Sequence, residues 1–127
     1  EMIDALAHDF FEERAKGWLR SHSVDLLNEH KAHGDRVVIV SASLSPYVSC
    51  FASFLETDFL ATELESDGSV LTGRIHGENV RGAEKVLKLN TFLSHAGYER
   101  SEVFVTAYGD SAGDSEMLRW ADRAVMV

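Results

Sequence analysis

Two aspartates lie four residues apart in the stretch VTAYGDSAGDSEML, at the point where an apolar segment ends. Asp110 follows Gly109 directly, and Asp114 follows Gly113. Mg²⁺ prefers oxygen ligands and is commonly held by one or two carboxylates together with water and substrate phosphate. Because the glycines let the backbone turn sharply, both carboxylates can reach one point, which predicts a divalent-cation site. The structural alternative, which is favoured for the pair taken alone, is that Asp110 makes a turn and Asp114 caps the next helix.

Small polar residues end a second apolar segment, RVVIVSAS. Ser41 comes directly after four β-branched residues, Val37 to Val40. A hydroxyl at a strand end, beside free backbone N–H groups, can bind a phosphoryl oxygen, which makes Ser41 a candidate phosphate ligand. For Ser43 and Ser45 the favoured interpretation is capping of the helix that begins near Pro46.

A lysine near the start of a predicted helix is the third feature of interest. Lys85 ends the stretch GENVRGAEK. Its ammonium group is a compact point charge that is suited to neutralising a phosphoryl group. The alternative is a solvated helix lysine, and for a single lysine taken alone that alternative is the more common one.

The elements that would position these residues alternate between strands and helices. Two helices are expected at the front, over about 3–19 and about 24–33, the second with Ser23 as its N-cap and Gly34 as its stop. From Arg36 onward the order is β, α, hairpin, α, β, α, β. The segments are 37–40, about 46–55, 59–65 with 70–75, about 82–96, 102–109, 114–122 and 123–127. This order predicts an α/β fold with a mostly parallel sheet, in which ligands bind beyond the carboxyl ends of the strands.

Composition narrows the class of protein. The 127 residues carry a net charge of −9, which disfavours nucleic acid or an anionic membrane as a partner. No apolar run has the length that a bilayer span requires. Cys50 is the single cysteine, so an internal disulfide is excluded and a reducing compartment is favoured. We therefore expect a cytoplasmic protein. The chain begins without methionine and is helical at once, which suggests a piece of a longer polypeptide.

Three segments of the sequence resemble, in the same order, three of the four signature motifs of the haloacid dehalogenase superfamily. The segments are VVIVSAS, GAEK and YGDSAGD, and the resemblance is closest to the phosphoserine-phosphatase-like branch of the superfamily. The resemblance covers about 36–127. It implies a Rossmann-like three-layer core (34–127) with a small β-hairpin. It also implies that 1–33 is a remnant of the helical cap and its return helix.

The resemblance further implies a Mg²⁺-dependent phosphomonoester hydrolase that acts through a phospho-aspartate. Ser41 would bind the transferring phosphoryl group, and Lys85 would steady the nucleophile and the developing charge. Asp110 would ligate magnesium, and Asp114 would hold the water shell of the metal. The implied substrate-binding set is Ser41, Ala42, Ser43 and Lys85. Phosphoserine, another small phosphorylated metabolite and a lipid-linked phosphate are equally compatible substrates.

The first motif of the superfamily is absent from the sequence. That motif is a strand ending in two aspartates separated by one residue, and it supplies the nucleophile and the general acid and base. Asp4 and Asp9 lie in a helical segment and do not match it. The first-motif strand is therefore expected outside this chain. A separate fragment of the same polypeptide or a neighbouring chain would supply it, or the sheet would pair differently.

Without its nucleophile, the chain alone is expected to be inactive. The alternative function is a non-catalytic module of the same fold that binds phosphate, metal or a partner protein. A third interpretation, the phosphorylation domain of an ion-pumping ATPase, is disfavoured because the sequence has no membrane segment.

Overall fold

The computed structural model describes residues 2–19, 21–67, 70–76, 80, 82–109 and 112–126. Their helices and strands follow one another as α1 (Met2–Glu13), α2 (Ser21–Ala32), β1 (Val38–Leu44), α3 (Ser45–Leu55), β2 (Asp58–Asp67), β3 (Val70–His76), α4 (Ala83–His95), β4 (Thr106–Gly109), α5 (Ser115–Trp120) and β5 (Arg123–Met126). Short 3₁₀ turns cover Ala15–Trp18, Arg100–Glu102 and Ala112–Asp114. None of the helices within these ranges is long and apolar enough to cross a bilayer.

The chain folds as two compact units, Glu1–His76 and Gly77–Val127. The division between a cap remnant (1–33) and a core (34–127) stays a prediction.

The first unit is built on a three-stranded sheet in the order β1-β2-β3. Strand β1 pairs with β2 in parallel, with Ile39 opposite Phe59, and β2 and β3 form the predicted antiparallel hairpin. Helix α3 packs on β1 and β2, and α1 packs on α3. Phe11 of α1 is 3% exposed, and its ring meets that of Phe51 edge-on at 4.9 Å between centroids. An aromatic contact of this kind joins the first helix firmly to the helix that follows Ser41.

The second unit is built on the parallel pair β4 and β5, in which Thr106 lies opposite Arg123. Helix α5 connects the two strands and packs against α4. Arg100 lies over the Trp120 ring at 4.6 Å, donates a hydrogen bond to the Trp120 carbonyl (2.7 Å) and pairs with Asp122 (3.0 Å). The guanidinium group thus fixes the end of α5 where the chain enters β5.

The α/β class with parallel strand pairing, predicted from the sequence, is confirmed. In the described part of the chain β1 pairs with β2 alone and β4 with β5 alone, so no described strand corresponds to the first-motif strand. A continuous β-branched run such as Val37–Val40 is typical of a strand buried on both faces, but residues 38–40 are half-buried.

Several predicted boundaries were wrong. Helix α2 begins at Ser21, so Ser23 lies inside it and is not the N-cap. Strand β1 runs on to Leu44, beyond the predicted end at residue 40. Strand β4 begins four residues later than predicted, because Glu99 and Glu102 cap the 3₁₀ turn at Arg100–Glu102 reciprocally and bend the preceding segment.

Candidate active site

Lys85 is the third residue of α4, and it is buried. The helix is entered through Gly82, whose φ of 58° and ψ of −128° lie in a region that is essentially restricted to glycine. Only 8% of Lys85 is exposed, so the interpretation as a solvated helix lysine was wrong. A buried lysine needs an anionic partner, because an unpaired charge in the interior is costly.

Asp114 supplies that partner. Lys85 Nζ donates a hydrogen bond of 2.5 Å to Asp114 Oδ1, and each of the two side chains is 10% exposed. Asp114 precedes α5 directly, but its side chain makes no capping hydrogen bond to the helix. The interpretation of Asp114 as a side-chain helix cap was therefore wrong, and its carboxylate is directed to the lysine of the neighbouring helix.

Two glycines make this pairing sterically feasible. A Cβ atom added at Gly109 would lie 2.9 Å from both Cβ and Oδ2 of Asp114, closer than real Cβ contacts allow. Gly82 donates its backbone N–H to the Gly113 carbonyl at 3.1 Å. The entry of α4 and the segment before α5 are thus joined by a main-chain hydrogen bond as well as by the ion pair.

A buried ion pair of this kind is more typical of a functional site than of a contact that stabilises the fold. Desolvation of two charges offsets most of their mutual attraction, so buried pairs contribute little net stability. Strongly interacting buried charges are instead common at functional sites. An ammonium group has three N–H donors, so Lys85 can hold Asp114 and an anionic oxygen of a ligand at the same time.

The donor set fits a hard cation. Asp114 offers carboxylate oxygens, and Mg²⁺ is usually bound through one or two carboxylates plus water and substrate phosphate. Within the described ranges no cluster of three or more His, Cys, Asp or Glu side chains occurs. Asp110, the predicted direct ligand, lies outside the described residues.

Ser41 lies in the middle of β1, in the first unit, with its side chain partly exposed. Its Oγ accepts a hydrogen bond from the backbone N–H of Ser43 at 3.1 Å. The Ala42 carbonyl accepts a bond of 2.8 Å from Thr62 Oγ1, which ties this part of β1 to β2. These contacts fix the backbone around Ser41.

The capping interpretation of Ser43 and Ser45 was wrong. The N-cap of α3 is Leu44, which makes no side-chain capping bond, and Ser45 donates to Glu63 Oε2 at 2.9 Å. Pro46 lies in the first turn of α3, as predicted, where its missing N–H costs nothing.

A cavity that the sequence analysis missed lies in the first unit beside Ser41. It has a volume of about 310 Å³ and is lined by Phe10, Ile39, Ser41, Ser43, Tyr47, Val48 and Phe51. One signal could have revealed part of it. Residues 39, 41 and 43 are two apart in sequence, a spacing that places side chains on one face of a regular strand, although the pairing of β1 with β2 is irregular between Val40 and Leu44.

A profile of the haloacid dehalogenase-like hydrolase family matches residues 1–119. The chain belongs to this family. The chain is 38% identical over 123 residues to protein CicA of Caulobacter vibrioides, covering 94% of the chain and 53% of CicA. It is 32% identical over 98 residues to the phosphoserine phosphatase of Streptococcus thermophilus, covering 76% of the chain and 45% of that enzyme. These similarities confirm the predicted superfamily and branch.

A solved structure has a closely similar fold. A Bordetella pertussis protein of unknown function superposes with a TM-score of 0.90 at 26% identity, over 97% of this chain and 56% of that one. The chain thus spans about half the length of the curated relatives that it matches.

Proposed function

We propose that this chain is part of a Mg²⁺-dependent phosphatase that hydrolyses phosphomonoesters through a phospho-aspartate. The observation that carries the proposal is the buried ion pair between Lys85 and Asp114, formed by the lysine at the start of α4 and the acid that follows β4. In a haloacid dehalogenase-like hydrolase, these are the positions of the third and fourth motifs.

The roles that we propose follow from the chemistry of each group. Ser41 donates its hydroxyl to the transferring phosphoryl group, and Ala42 and Ser43 belong to the same proposed substrate-binding set. Lys85 neutralises negative charge on the phosphoryl oxygens, a contribution that counts most in a desolvated site. Asp110 and Asp114 would hold Mg²⁺, which supplies positive charge against the phosphate when it is bound.

The nucleophile is proposed to lie outside these 127 residues. The sequence contains no two aspartates separated by a single residue, so none of its acids matches the nucleophile and general acid of the first motif. We propose that this chain alone is inactive and that a further segment of the same protein completes the site. The parent protein is proposed to be cytoplasmic, in keeping with a small phosphorylated substrate.

The test is turnover of p-nitrophenyl phosphate by the full-length protein with MgCl₂, and again after removal of the metal with EDTA. We expect Ser41→Ala, Lys85→Ala and Asp110→Asn each to lower kcat/KM by about 10²–10³-fold, the usual effect of removing one charge-stabilising group. Lys88→Ala is the matched control, because Lys88 lies on the same helix three residues further on and should leave the rate unchanged.

The outcomes separate the proposed enzyme from a binding module. Thermal melting of each variant shows which rates belong to folded protein. Unchanged rates in folded Lys85→Ala and Asp110→Asn would refute the assigned roles. Binding of inorganic phosphate without turnover of any phosphomonoester would instead identify a non-catalytic module.

A further inference from the structure

The cavity beside Ser41 has rigid aromatic walls. The rings of Phe10 and Tyr47 meet edge-to-face, with centroids 5.9 Å apart and planes at 85°. Phe51 is held in the same way by Phe11, at 4.9 Å and 84°. Because such pairs have a preferred geometry, the walls are formed before any ligand arrives. The volume of about 310 Å³ is at the lower end of the range for small-molecule sites.

The lining of the cavity is apolar, with hydroxyl groups only along the strand. Ser41 and Ser43 are its only polar members apart from the Tyr47 hydroxyl, and none of the lining residues that the structure describes is charged. An ammonium or carboxylate group placed here would be desolvated without a partner of opposite charge, which is strongly unfavourable. The cavity is therefore poorly suited to an amino acid and well suited to an uncharged hydrocarbon group.

We propose that this cavity binds the alcohol portion of the substrate, and that this portion is uncharged and apolar. This inference rests on the proposed function, because Ser41 is the link between the two: its hydroxyl lines the cavity and is assigned to the phosphoryl group. A phosphomonoester held by Ser41 would place its ester oxygen at the polar wall and its hydrocarbon chain against Ile39, Tyr47 and Phe51.

The experiment compares substrates on the full-length protein with MgCl₂. The probes are ethyl, butyl, hexyl and octyl phosphate, each below its micellar concentration, together with O-phosphoserine. We expect kcat/KM to rise by up to about fourfold for each added CH₂ until the cavity is filled. O-Phosphoserine should be used less well than hexyl phosphate. A flat or falling dependence on chain length, or a preference for O-phosphoserine, would overturn the inference and leave the proposed function intact. Failure to hydrolyse any of these probes would overturn the inference, and failure to hydrolyse p-nitrophenyl phosphate as well would overturn the proposed function.

Variants of the lining test whether this cavity is the cause of the preference. Phe10→Ala removes one wall and should lower the ratio of octyl to ethyl phosphate turnover at least tenfold. Ile39→Thr keeps the branched shape needed in the strand and should lower the ratio in the same direction, which provides a second measurement if Phe10→Ala does not fold. The matched control is Phe54→Ala, which removes a 48% exposed aromatic ring of α3 that is not part of the lining. An unchanged ratio in folded Phe10→Ala and Ile39→Thr would overturn the inference.

Discussion

Replacing Lys85 with methionine would leave the Asp114 carboxylate buried without the ammonium group that it contacts. Both side chains are 10% exposed, so water cannot replace the lost partner easily. We expect the free energy of unfolding to fall by about 3–5 kcal/mol, the usual cost of breaking a buried ion pair by removing one member. Such a loss is a large fraction of the total stability of a domain.

The size of this effect follows from two opposing contributions. At the 2.5 Å separation of Nζ and Oδ1, Coulomb's law with an effective dielectric constant of about 20 gives an attraction of about 7 kcal/mol. Desolvation costs several kcal/mol for each ion, so the intact pair contributes little net stability. The single variant keeps one desolvation cost and loses the attraction, which is why it is much less stable than a variant in which both charges are removed.

A double-mutant cycle measures this difference directly. Urea denaturation of Lys85→Met, Asp114→Asn and the double variant should show a coupling free energy larger than the loss in either single variant, that is, more than about 3–5 kcal/mol. Lys16→Met is a control, because Lys16 forms an exposed pair with Glu12 at 3.8 Å and lies over the Phe54 ring at 4.7 Å, so the change should stay within about 1 kcal/mol. A coupling free energy below about 0.5 kcal/mol would refute the description of Lys85 and Asp114 as a buried, mutually dependent pair.

Three further predictions concern single positions. Gly109→Ala would force a Cβ atom to 2.9 Å from Asp114 and should lower the free energy of unfolding by about 1–3 kcal/mol, whereas Gly17→Ala, with open space at the same atom, should not destabilise the protein. The pKa of Asp122 is lowered, chiefly by a hydrogen bond from a backbone N–H, so the ionised carboxylate stabilises the fold at neutral pH. That stabilisation is lost as the pH falls from the ordinary range of an aspartate through the lowered pKa, and Asp122→Asn should remove this part of the pH dependence of the Tm. The pKa of the Cys50 thiol is raised, chiefly by burial. Its reaction with a disulfide reagent at neutral pH should therefore be slower than that of a free thiol, and it should accelerate at higher pH.

Each of these predictions has a contradicting result. Equal stability of the two glycine variants would show that the contact at Gly109 is relieved at no cost. Parallel curves of Tm against pH below neutrality for wild type and Asp122→Asn would exclude the hydrogen bond as a source of acid sensitivity. A Cys50 reaction rate equal to that of a free thiol at neutral pH would contradict the raised pKa.

Sequence order and spacing were sufficient to predict the fold class. The β-branched run before Ser41 and the glycines around Asp114 are local signals. The first indicates a strand, and the second indicate sharp turns of the backbone. The contact between Lys85 and Asp114, 29 residues apart, required the packing of α4 against α5 and could not be derived from either segment alone.

Several of the features that were predicted wrongly depend on segments distant in sequence. Ser45 and Asp114 both have residue types and positions typical of helix N-caps. Each is instead engaged by a residue distant in sequence, Glu63 for Ser45 and Lys85 for Asp114. The cavity beside Ser41 was missed for the same reason, because its lining combines α1, α3 and β1 and no single segment shows it.

Because the Gly82 N–H donates a hydrogen bond to the Gly113 carbonyl, exchange of this one amide proton reports local opening within the second unit. This proton becomes exchangeable with solvent only when the entry of α4 separates from the segment that carries Asp114. Its deuterium-exchange rate, read by NMR, would therefore report how often the two segments part, without any substrate. A ligand that bridges Lys85 and Asp114 would slow that exchange, even if no turnover occurred.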